Sequence, residues 1–366
     1  MNKIFIFGLL ISFSSFTADR PMNSHKISDH NIYDPPNWII ELEEQKSDRR
    51  TFYNYQLKEI SSIDLLENMV IGSVGRIDTY SDKIAIVDSY ANTIKLFNDQ
   101  LEYLGDYGEQ GSGPGEFQSL IDIHVSNEYL HGLDSGGLKL IRFSLENNRT
   151  EELNLNTYPY RLSPLKDNNI VVVTPFSSDG FFTVVNWDGE GITFGTLIED
   201  QEIQHMSLDG YLSGDINHKD FYYLGRYGGF LLSFDKSGSM NFAVKTIQPK
   251  GLPDLRISHT EDGSVHTSRP SDDALSHWGI SISDSKIFVN SRVNIDNIIS
   301  EIDTSDSYEI DDHDRVSVID IYDRGTGEYM ESILIEYIIN RFSAQNNKIV
   351  AHASLNNKVI AWQFNL

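Results

Sequence analysis

Three arginines, an aspartate and a tryptophan in this sequence have the side chains needed to bind an anion or a sugar. They are Arg76, Arg161, Arg341, Asp122 and Trp278. The planar guanidinium of arginine binds a carboxylate or phosphate through paired hydrogen bonds. An indole ring offers a flat face for stacking. If these residues converge, they predict a binding site for an anionic or sugar ligand.

A second combination of side chains has the chemistry of a metal site. Asp78, Asp122, His124 and Asp215 carry the carboxylate and imidazole groups that bind Ca²⁺ or Zn²⁺. An ion held by them would favour an enzyme of the lactonase, hydrolase or lyase type, although calcium prefers about six to eight oxygen ligands, more than this set supplies. A third interpretation is structural, with the aspartates pairing with the arginines inside a polar channel. Because neither a Gly-x-Ser-x-Gly nor a His-Glu-x-x-His motif occurs, we predict no catalytic residue.

The elements that must position these residues are the strands of a repeat. A β-rich run, a polar turn and a second β-rich run ending in an aromatic residue return about every 45 residues. The aligned aromatic positions are Phe97, Phe143, Trp187, Phe234, Tyr322 and Trp362. A period of about 40 to 50 residues with four short strands in each unit is typical of a β-propeller. The six copies predict six blades.

We therefore predict an all-β fold, a six-bladed β-propeller of four-stranded antiparallel blades that covers residues 51–366. The last repeat reaches the end of the chain after three strands, so residues within 51–60 are expected to supply its fourth strand and close the ring. Blade five is enlarged by insertions at residues 248–275 and 292–314. Antiparallel connectivity brings both insertions out at the same mouth of the channel.

The repeat also aligns the innermost strands around the channel. Counting back from the end of the second strand gives one residue in each blade: Arg76, Asp122, Arg161, Ser213, Trp278 and Arg341. Polar and apolar residues alternate along these strands, as expected when one face of a strand lines a polar channel. The five candidate binding residues should therefore surround one mouth.

A glycine-rich segment, residues 108–117, is the most specific local motif. Gly111, Gly113 and Gly115 are expected to adopt positive φ in the turn between two blades, and Phe117 to anchor that turn. Together with residues 87–92 and the lead-in at 60–72, residues 109–117 resemble the NHL repeat and bacterial exported six-bladed propellers related to TolB-like propellers. The resemblance implies the fold and an exported location, and it assigns no catalytic residue.

The N-terminal residues have the pattern of a secretory signal. Lys3 precedes an apolar run at residues 4–13 and small residues up to Ala18. We predict a signal peptide at residues 1–18 and a partly disordered lead-in at 19–50. The apolar run is too short for a membrane span, and without cysteine the chain can have no disulfide and no lipid-modified cysteine. The expected location is periplasmic or extracellular, without a lipid anchor.

Charge limits the choice of partner. The chain has 54 acidic and 29 basic residues and a formal net charge of −25, which repels nucleic acid. We expect a monomer whose partner is a protein, a peptide or a carbohydrate. The favoured function is an exported binding or scaffolding propeller with its ligand at the channel mouth. The alternative is a channel-metal enzyme, for which calcium or zinc is the cofactor to consider.

Overall fold

The computed structural model describes most of the chain outside its N-terminal region. The described residues are 28–33, 38–52, 55–147, 149–199, 204–253, 255–259, 265–268, 275–293 and 316–364. The predicted signal peptide, and large parts of the two predicted insertions, lie outside these residues. Within them, the strands form six four-stranded antiparallel sheets and one three-stranded sheet.

Each four-stranded sheet is one blade, and the chain builds the blades in order. The strands before the first complete blade are β1 (Ser28–Tyr33) and β2 (Leu57–Asp64). Blade one contains β3 (Val74–Tyr80), β4 (Lys83–Asp88), β5 (Thr93–Asn98) and β6 (Tyr103–Tyr107). Blade two contains β7 (Leu120–Val125), β8 (Tyr129–Asp134), β9 (Lys139–Ser144) and β10 (Thr150–Asn154). Blade three contains β11 (Arg161–Leu165), β12 (Asn169–Val173), β13 (Phe182–Asn186) and β14 (Gly191–Phe194).

The second half of the ring follows the same plan. Blade four contains β15 (Gly210–Gly214), β16 (Asp220–Gly225), β17 (Phe230–Asp235) and β18 (Met240–Lys245). In the small sheet β19 (Leu255–His259) pairs with β1, and β20 (Val265–Ser268) pairs with β19. Blade five contains β21 (His277–Ile282), β22 (Lys286–Ser291), β23 (Ser317–Asp323) and β24 (Tyr329–Ile335), and blade six begins with β25 (Ile339–Gln345), β26 (Lys348–Ala353) and β27 (Lys358–Phe364). Single helical turns lie at α1 (Leu65–Asn68), α2 (Gln204–Ser207) and the 3-10 turn Ser354–Asn356.

The ring closes by pairing the two ends of the propeller. Strand β2 lies antiparallel to β27 and completes blade six, from Leu57 opposite Phe364 to Asp64 opposite Lys358. The predicted closure and the six-bladed fold are confirmed. The closing strand lies at residues 57–64, slightly later than the predicted 51–60. The first strands of successive blades then contact one another in a complete circle, β3, β7, β11, β15, β21 and β25.

The repeat was aligned correctly in five blades and wrongly in blade three. In blade one Phe97 pairs with Ile84, the second residue of β4. In blade three the second residue of β12 is Ile170, and it pairs with Val185 and not with Trp187. Trp187 lies two residues further along, beyond the end of β13. The loop that precedes β13, residues 174–181, is longer than its counterpart at residues 89–92, and this shifts the aromatic residue out of register. In its new place Trp187 packs on the guanidinium of Arg142, 4.2 Å from the ring centroid.

The hydrophobic core lies between facing blades. Between blades three and four it contains Phe182, Phe221 and Phe234, all buried, and the rings of Phe221 and Phe234 stack with centroids 5.6 Å apart. Burial of aromatic rings of this size makes a large contribution to the stability of a closed sheet structure. Each blade therefore depends on its two neighbours.

Residues 38–52, here called the strap, run along the outside of the ring before β2 begins. Trp38 forms a bridge with Ile198, Glu43 with Val244 and Phe52 with Ser332. The strap therefore contacts the outer parts of blades three, four and five in turn. The sequence predicts these residues only as a polar lead-in. The bridges are formed by backbone groups, which every residue has, so no sequence pattern marks them.

A buried ion pair fastens the end of the strap to blade five. Arg50 donates through Nε and Nη2 to the carboxylate of Asp320, each at 2.9 Å, with side-chain exposures of 3% and 0%. The hydroxyls of Ser291 and Ser332 also donate to Asp320, each at 2.6 Å. A buried pair repays the cost of desolvation only when its geometry is good and its remaining oxygens are hydrogen-bonded, as they are here.

Replacing Arg50 should destabilise the propeller strongly. Arg50→Ala leaves Asp320 buried without its cation, and we expect a loss of about 3 kcal/mol or more in the free energy of unfolding. Urea denaturation followed by tryptophan fluorescence measures this loss. The control is Arg49→Ala, since the neighbouring Arg49 is exposed and should cost less than about 0.5 kcal/mol. Equal stability of the two variants would contradict the role given to the pair.

Two histidines are buried in uncharged form between elements of the ring. Burial, together with the charges of His124 and Arg142, lowers the pKa of His131 to about 3. Burial also lowers the pKa of His277, to about 4, although its Nδ1 lies 2.9 Å from the carbonyl oxygen of Gly225. In the unfolded chain both would titrate near the ordinary value of about 6.5.

The stability of the protein should therefore fall as the pH drops below about 6.5. The unfolded chain binds protons at these histidines before the folded chain does, so each contributes stability above that pH and loses it on acidification. Between pH 7 and pH 5 we expect each to account for roughly 2 kcal/mol of lost stability. Urea denaturation at both pH values measures this loss in the free energy of unfolding. We expect the loss between pH 7 and pH 5 to be smaller in His131→Phe than in the wild type. The control is His218→Phe, at a half-exposed position, which should lose as much as the wild type.

Candidate functional site

Four arginines converge at the end of the channel where the first strands of the blades begin. This site, here called the arginine mouth, contains Arg76, Arg161, Arg226 and Arg341, with Asp122, Asp209, Tyr160 and Tyr211 among them. The residues come from blades one, two, three, four and six or from the connections that enter them. The two long connections of blade five, which follow β18 and β22, leave from this same end of the blades.

The structure gives the equivalent positions directly from strand pairing. Ile77, Ile123, Leu162 and Phe342 occupy the same place in their blades, so the preceding residues, Arg76, Asp122, Arg161 and Arg341, are equivalent as predicted. In blade four the equivalent residue is Tyr211, because Leu212 pairs with Tyr223, and the choice of Ser213 was wrong by two residues. In blade five the equivalent residue is Gly279, because Ile280 pairs with Val289. The choice of Trp278, which lies in the bulge between His277 and Gly279, was wrong by one residue.

Arg76 is held by partners inside the channel. Its Nε lies 3.4 Å from Oδ1 of Asp122, and its Nη2 lies 3.4 Å from the carbonyl oxygen of Leu212 in blade four. Asp122 in turn accepts a hydrogen bond of 3.0 Å from the backbone N–H of Leu162. Burial raises the pKa of Asp122, while the positive charges of Arg76 and Arg161 oppose that rise. For Arg76 the interpretation as an internal partner of an aspartate therefore fits the geometry.

Arg161 is held by aromatic rings. Its guanidinium carbon lies 3.9 Å from the ring centroid of Tyr160 and 5.6 Å from that of Tyr211, and its Nη1 donates to the carbonyl oxygen of Tyr160 at 2.9 Å. Stacking leaves the edge of a guanidinium free to donate to a ligand. Burial raises the pKa of Tyr160 to about 12, and the charge of Asp209 and a hydrogen bond to its carboxylate contribute to this rise.

Arg341 is the least compensated of the four. Its Nη1 donates to the carbonyl oxygen of Asn340 at 2.8 Å, and no carboxylate of the described residues lies within ion-pair distance of it. Burial lowers the pKa of Arg341, and the positive charges of Arg161, Arg76 and Arg226 lower it further. Burial and Arg341 also lower the pKa of the neighbouring His352. This side of the mouth carries an excess of positive charge.

Arg226 was missed by the sequence analysis because it does not lie on an innermost strand. It follows the end of β16, and its N–H donates to the carbonyl oxygen of Asp209 at 2.8 Å, just as Ser89 donates to Ser73 in blade one. Its side chain lies 3.6 Å from the carboxylate of Asp209 and 5.8 Å from the ring centroid of Trp278. The usable signal was an arginine one residue after a second strand, where blades one and two have serine.

Among the described residues of this site, the sum of charges has the opposite sign to that of the whole protein. Four guanidinium groups lie among two carboxylates, in a chain whose formal net charge is −25. A concave site with a local excess of one sign attracts ligands of the other sign. The arginine mouth is therefore suited to an anion.

The residues proposed for a metal ion do not form one site. Asp78, His124 and Asp215 line a small cavity of about 40 Å³ at the opposite end of the channel, and Asp122 is not part of that lining. Asp78 accepts a hydrogen bond from the N–H of Val125 at 2.8 Å, and Asp215 lies 3.7 Å from Nη1 of Arg324. Among the residues that the structure describes, no three potential ligands are grouped closely enough to hold a metal ion.

The glycine-rich segment is a structural turn, but its conformation differs from the expectation. Gly108 and Gly115 have positive φ, of 70° and 77°, whereas Gly111 and Gly113 do not. A Cβ on Gly111 would lie 1.9 Å from Oε2 of Glu116, so a larger residue would displace the carboxylate that accepts a hydrogen bond of 2.7 Å from the N–H of Gly113. Phe117 is fully buried and anchors the turn, as predicted.

Comparison with known proteins supports the fold. Residues 39–218 match the model of a family described as "DUF5128: 6-bladed beta-propeller". This match describes a fold and no activity. The matched range includes Arg76, Asp122 and Arg161, and ends before Arg226 and Arg341. A search of curated proteins finds no match to the chain.

Solved structures with the same fold are distant in sequence. A member of the DUF4221 family from Bacteroides vulgatus has a TM-score of 0.53 and 9% identity, covering 87% of this chain and 99% of that one. A candidate exported protein from Bacteroides fragilis has a TM-score of 0.50 and 12% identity, covering 88% and 98%. Virginiamycin B lyase from Staphylococcus aureus has a TM-score of 0.47 and 13% identity, covering 85% and 99%. Similarity at this level shows the fold alone.

The helices of the described ranges are single turns. None of them has the length or the apolar character of a segment that crosses a membrane.

Proposed function

We propose that this protein is a binding propeller whose arginine mouth takes a carboxylate-bearing sugar. The observation that carries the proposal is the excess of guanidinium groups around Arg341, whose charge no described carboxylate balances within ion-pair distance. Arginine binds carboxylates through paired donors. The partly exposed rings of Tyr160 and Trp278 lie near these arginines and offer flat faces for a sugar.

We further propose that the protein acts outside the cytoplasm. The support comes from the apolar run and small residues of positions 1–18, which lie outside the described residues, and from the resemblance to exported propellers related to the NHL and TolB-like groups. The candidate exported protein from Bacteroides fragilis has the same fold. In such a location acidic polysaccharides and their fragments would be accessible to the protein.

Replacing Arg341 should weaken the binding of an acidic disaccharide. A charge-assisted hydrogen bond contributes about 1.5 to 3 kcal/mol, and 1.4 kcal/mol corresponds to a factor of ten in affinity. We expect Arg341→Ala to raise the Kd for digalacturonate about tenfold or more. Conversely, Asp209→Asn removes a negative charge from the mouth, and we expect it to lower the Kd for digalacturonate severalfold. Isothermal titration calorimetry at low salt measures both changes.

Two controls separate a specific site from general electrostatics. Arg149→Ala removes an arginine whose side chain is 73% exposed, changes the net charge by the same amount as Arg341→Ala, and should leave the Kd unchanged. The dimethyl ester of digalacturonate lacks the charges and should bind much more weakly than the acid. Equal binding of acid and ester, or an equal effect of the two arginine variants, would refute the proposal.

A further inference from the structure

A cleft between blades two and three is separate from the channel. It has a volume of about 470 Å³, within the range of about 300 to 1,000 Å³ that is usual for small-molecule sites. One wall comes from the end of β10 and the residues after it, including Asn154 and Asn156, and the other from β12, β13, β14 and the loop that contains Phe176.

The cleft exists because blade three lacks a side chain that the other blades have. At the position of Val185 the other five blades carry a large aromatic residue, and each of these packs against the preceding blade. In blade three the aromatic Trp187 is displaced. Val185 pairs with Gly191, so the two outer strands have small residues at paired positions. Val185 and Gly191 both line the cleft.

A row of three threonine hydroxyls crosses the floor of the cleft. The Oγ1 atoms of Thr174 and Thr183 are 3.0 Å apart, and those of Thr183 and Thr193 are also 3.0 Å apart. At the inner end, Oγ1 of Thr174 donates to the carbonyl oxygen of Phe181 at 3.5 Å. The row therefore runs inward, from Thr193 through Thr183 to Thr174. Thr193, at the outer end, offers a lone pair to the hydroxyl of a ligand.

The rest of the lining has an aromatic ring and uncharged polar groups. Phe176 is 56% exposed, and its ring meets that of Tyr158 edge to face with centroids 5.8 Å apart. Asn154 and Asn156 supply amide groups, which have both donors and acceptors. Of the described residues that line the cleft, Asp179 is the one that is charged. This lining contrasts with that of the arginine mouth, since these residues include no cation for an anion to bind.

We propose that this cleft is a second binding site, and that it takes a neutral sugar of one or two residues. Its hydroxyl row and amides match the alternating donors and acceptors of a sugar, and the ring of Phe176 lies beside them in the lining. The site is independent of the arginine mouth, so this inference does not rest on the function proposed above.

The sharpest test fills the cleft with the side chain that it lacks. Val185→Phe gives blade three the aromatic residue found at this position in the other blades, so the variant should fold, as circular dichroism and thermal unfolding can verify. Saturation-transfer NMR with maltose, cellobiose and lactose should show at least one of them bound by the wild type, with a Kd measured by titration. We expect binding to be lost in Val185→Phe and weakened about tenfold in Thr193→Val and in Phe176→Ala, since each removes one contact.

Arg341→Ala distinguishes this site from the arginine mouth. It should leave disaccharide binding unchanged, because Arg341 lies on the first strand of blade six. Failure of all three disaccharides to bind the wild type, or unchanged binding by a folded Val185→Phe, would overturn the proposal. Loss of binding in Arg341→Ala with retention in Val185→Phe would also overturn it, and would assign the sugar to the channel.

Discussion

The rest of the structure depends on the pairing of β2 with β27. The core of this protein lies between blades, so each blade is stabilised by both neighbours, and an open ring would leave the faces of blades one and six exposed. Pairing of Leu57 with Phe364 and of Asp64 with Lys358 joins the two ends of the ring through backbone hydrogen bonds. Closure of this kind also removes free strand edges, at which sheets otherwise associate. The arginine mouth exists only because the closed ring brings six innermost strands to one axis.

Arg50 and Arg341 differ in whether the charge of the arginine is compensated inside the protein or is available to a ligand. Arg50 makes two hydrogen bonds to Asp320, and that carboxylate receives two further hydroxyl donors, so the charges of the pair are compensated within the protein. Arg341 donates to a backbone carbonyl and lies among other cations. A protein gains no stability from collecting cations in this way. The contrast is therefore better explained by a ligand than by folding.

The repeat was sufficient to predict the fold. Polar and apolar residues alternate along each strand and the whole unit returns about every 45 residues, and both patterns persist when individual residues change. It also placed Arg76, Arg161 and Arg341 correctly. It failed where backbone spacing changed: extra loop residues moved Trp187 in blade three, and a bulge displaced Trp278 in blade five. It could not find Arg226, which lies outside the repeated strand. It also could not find the strap, whose bridges use backbone groups and whose Arg50 pairs with a residue far along the chain. Register arguments locate residues on regular elements, and here much of the site lies between them.

The strap and β2 impose an order on folding. Both precede blade one in the chain, yet their partners, Ser332 for Phe52 and Phe364 for Leu57, lie in blades five and six and are synthesised after the blades between them. Contacts between residues so far apart in sequence form slowly, since a long loop must close before any of them contributes. Blades one to four can therefore assemble while the ring is still open. A chain arrested before blade five would remain without its closure, and molecules in that state would be the ones most exposed to proteases and to self-association.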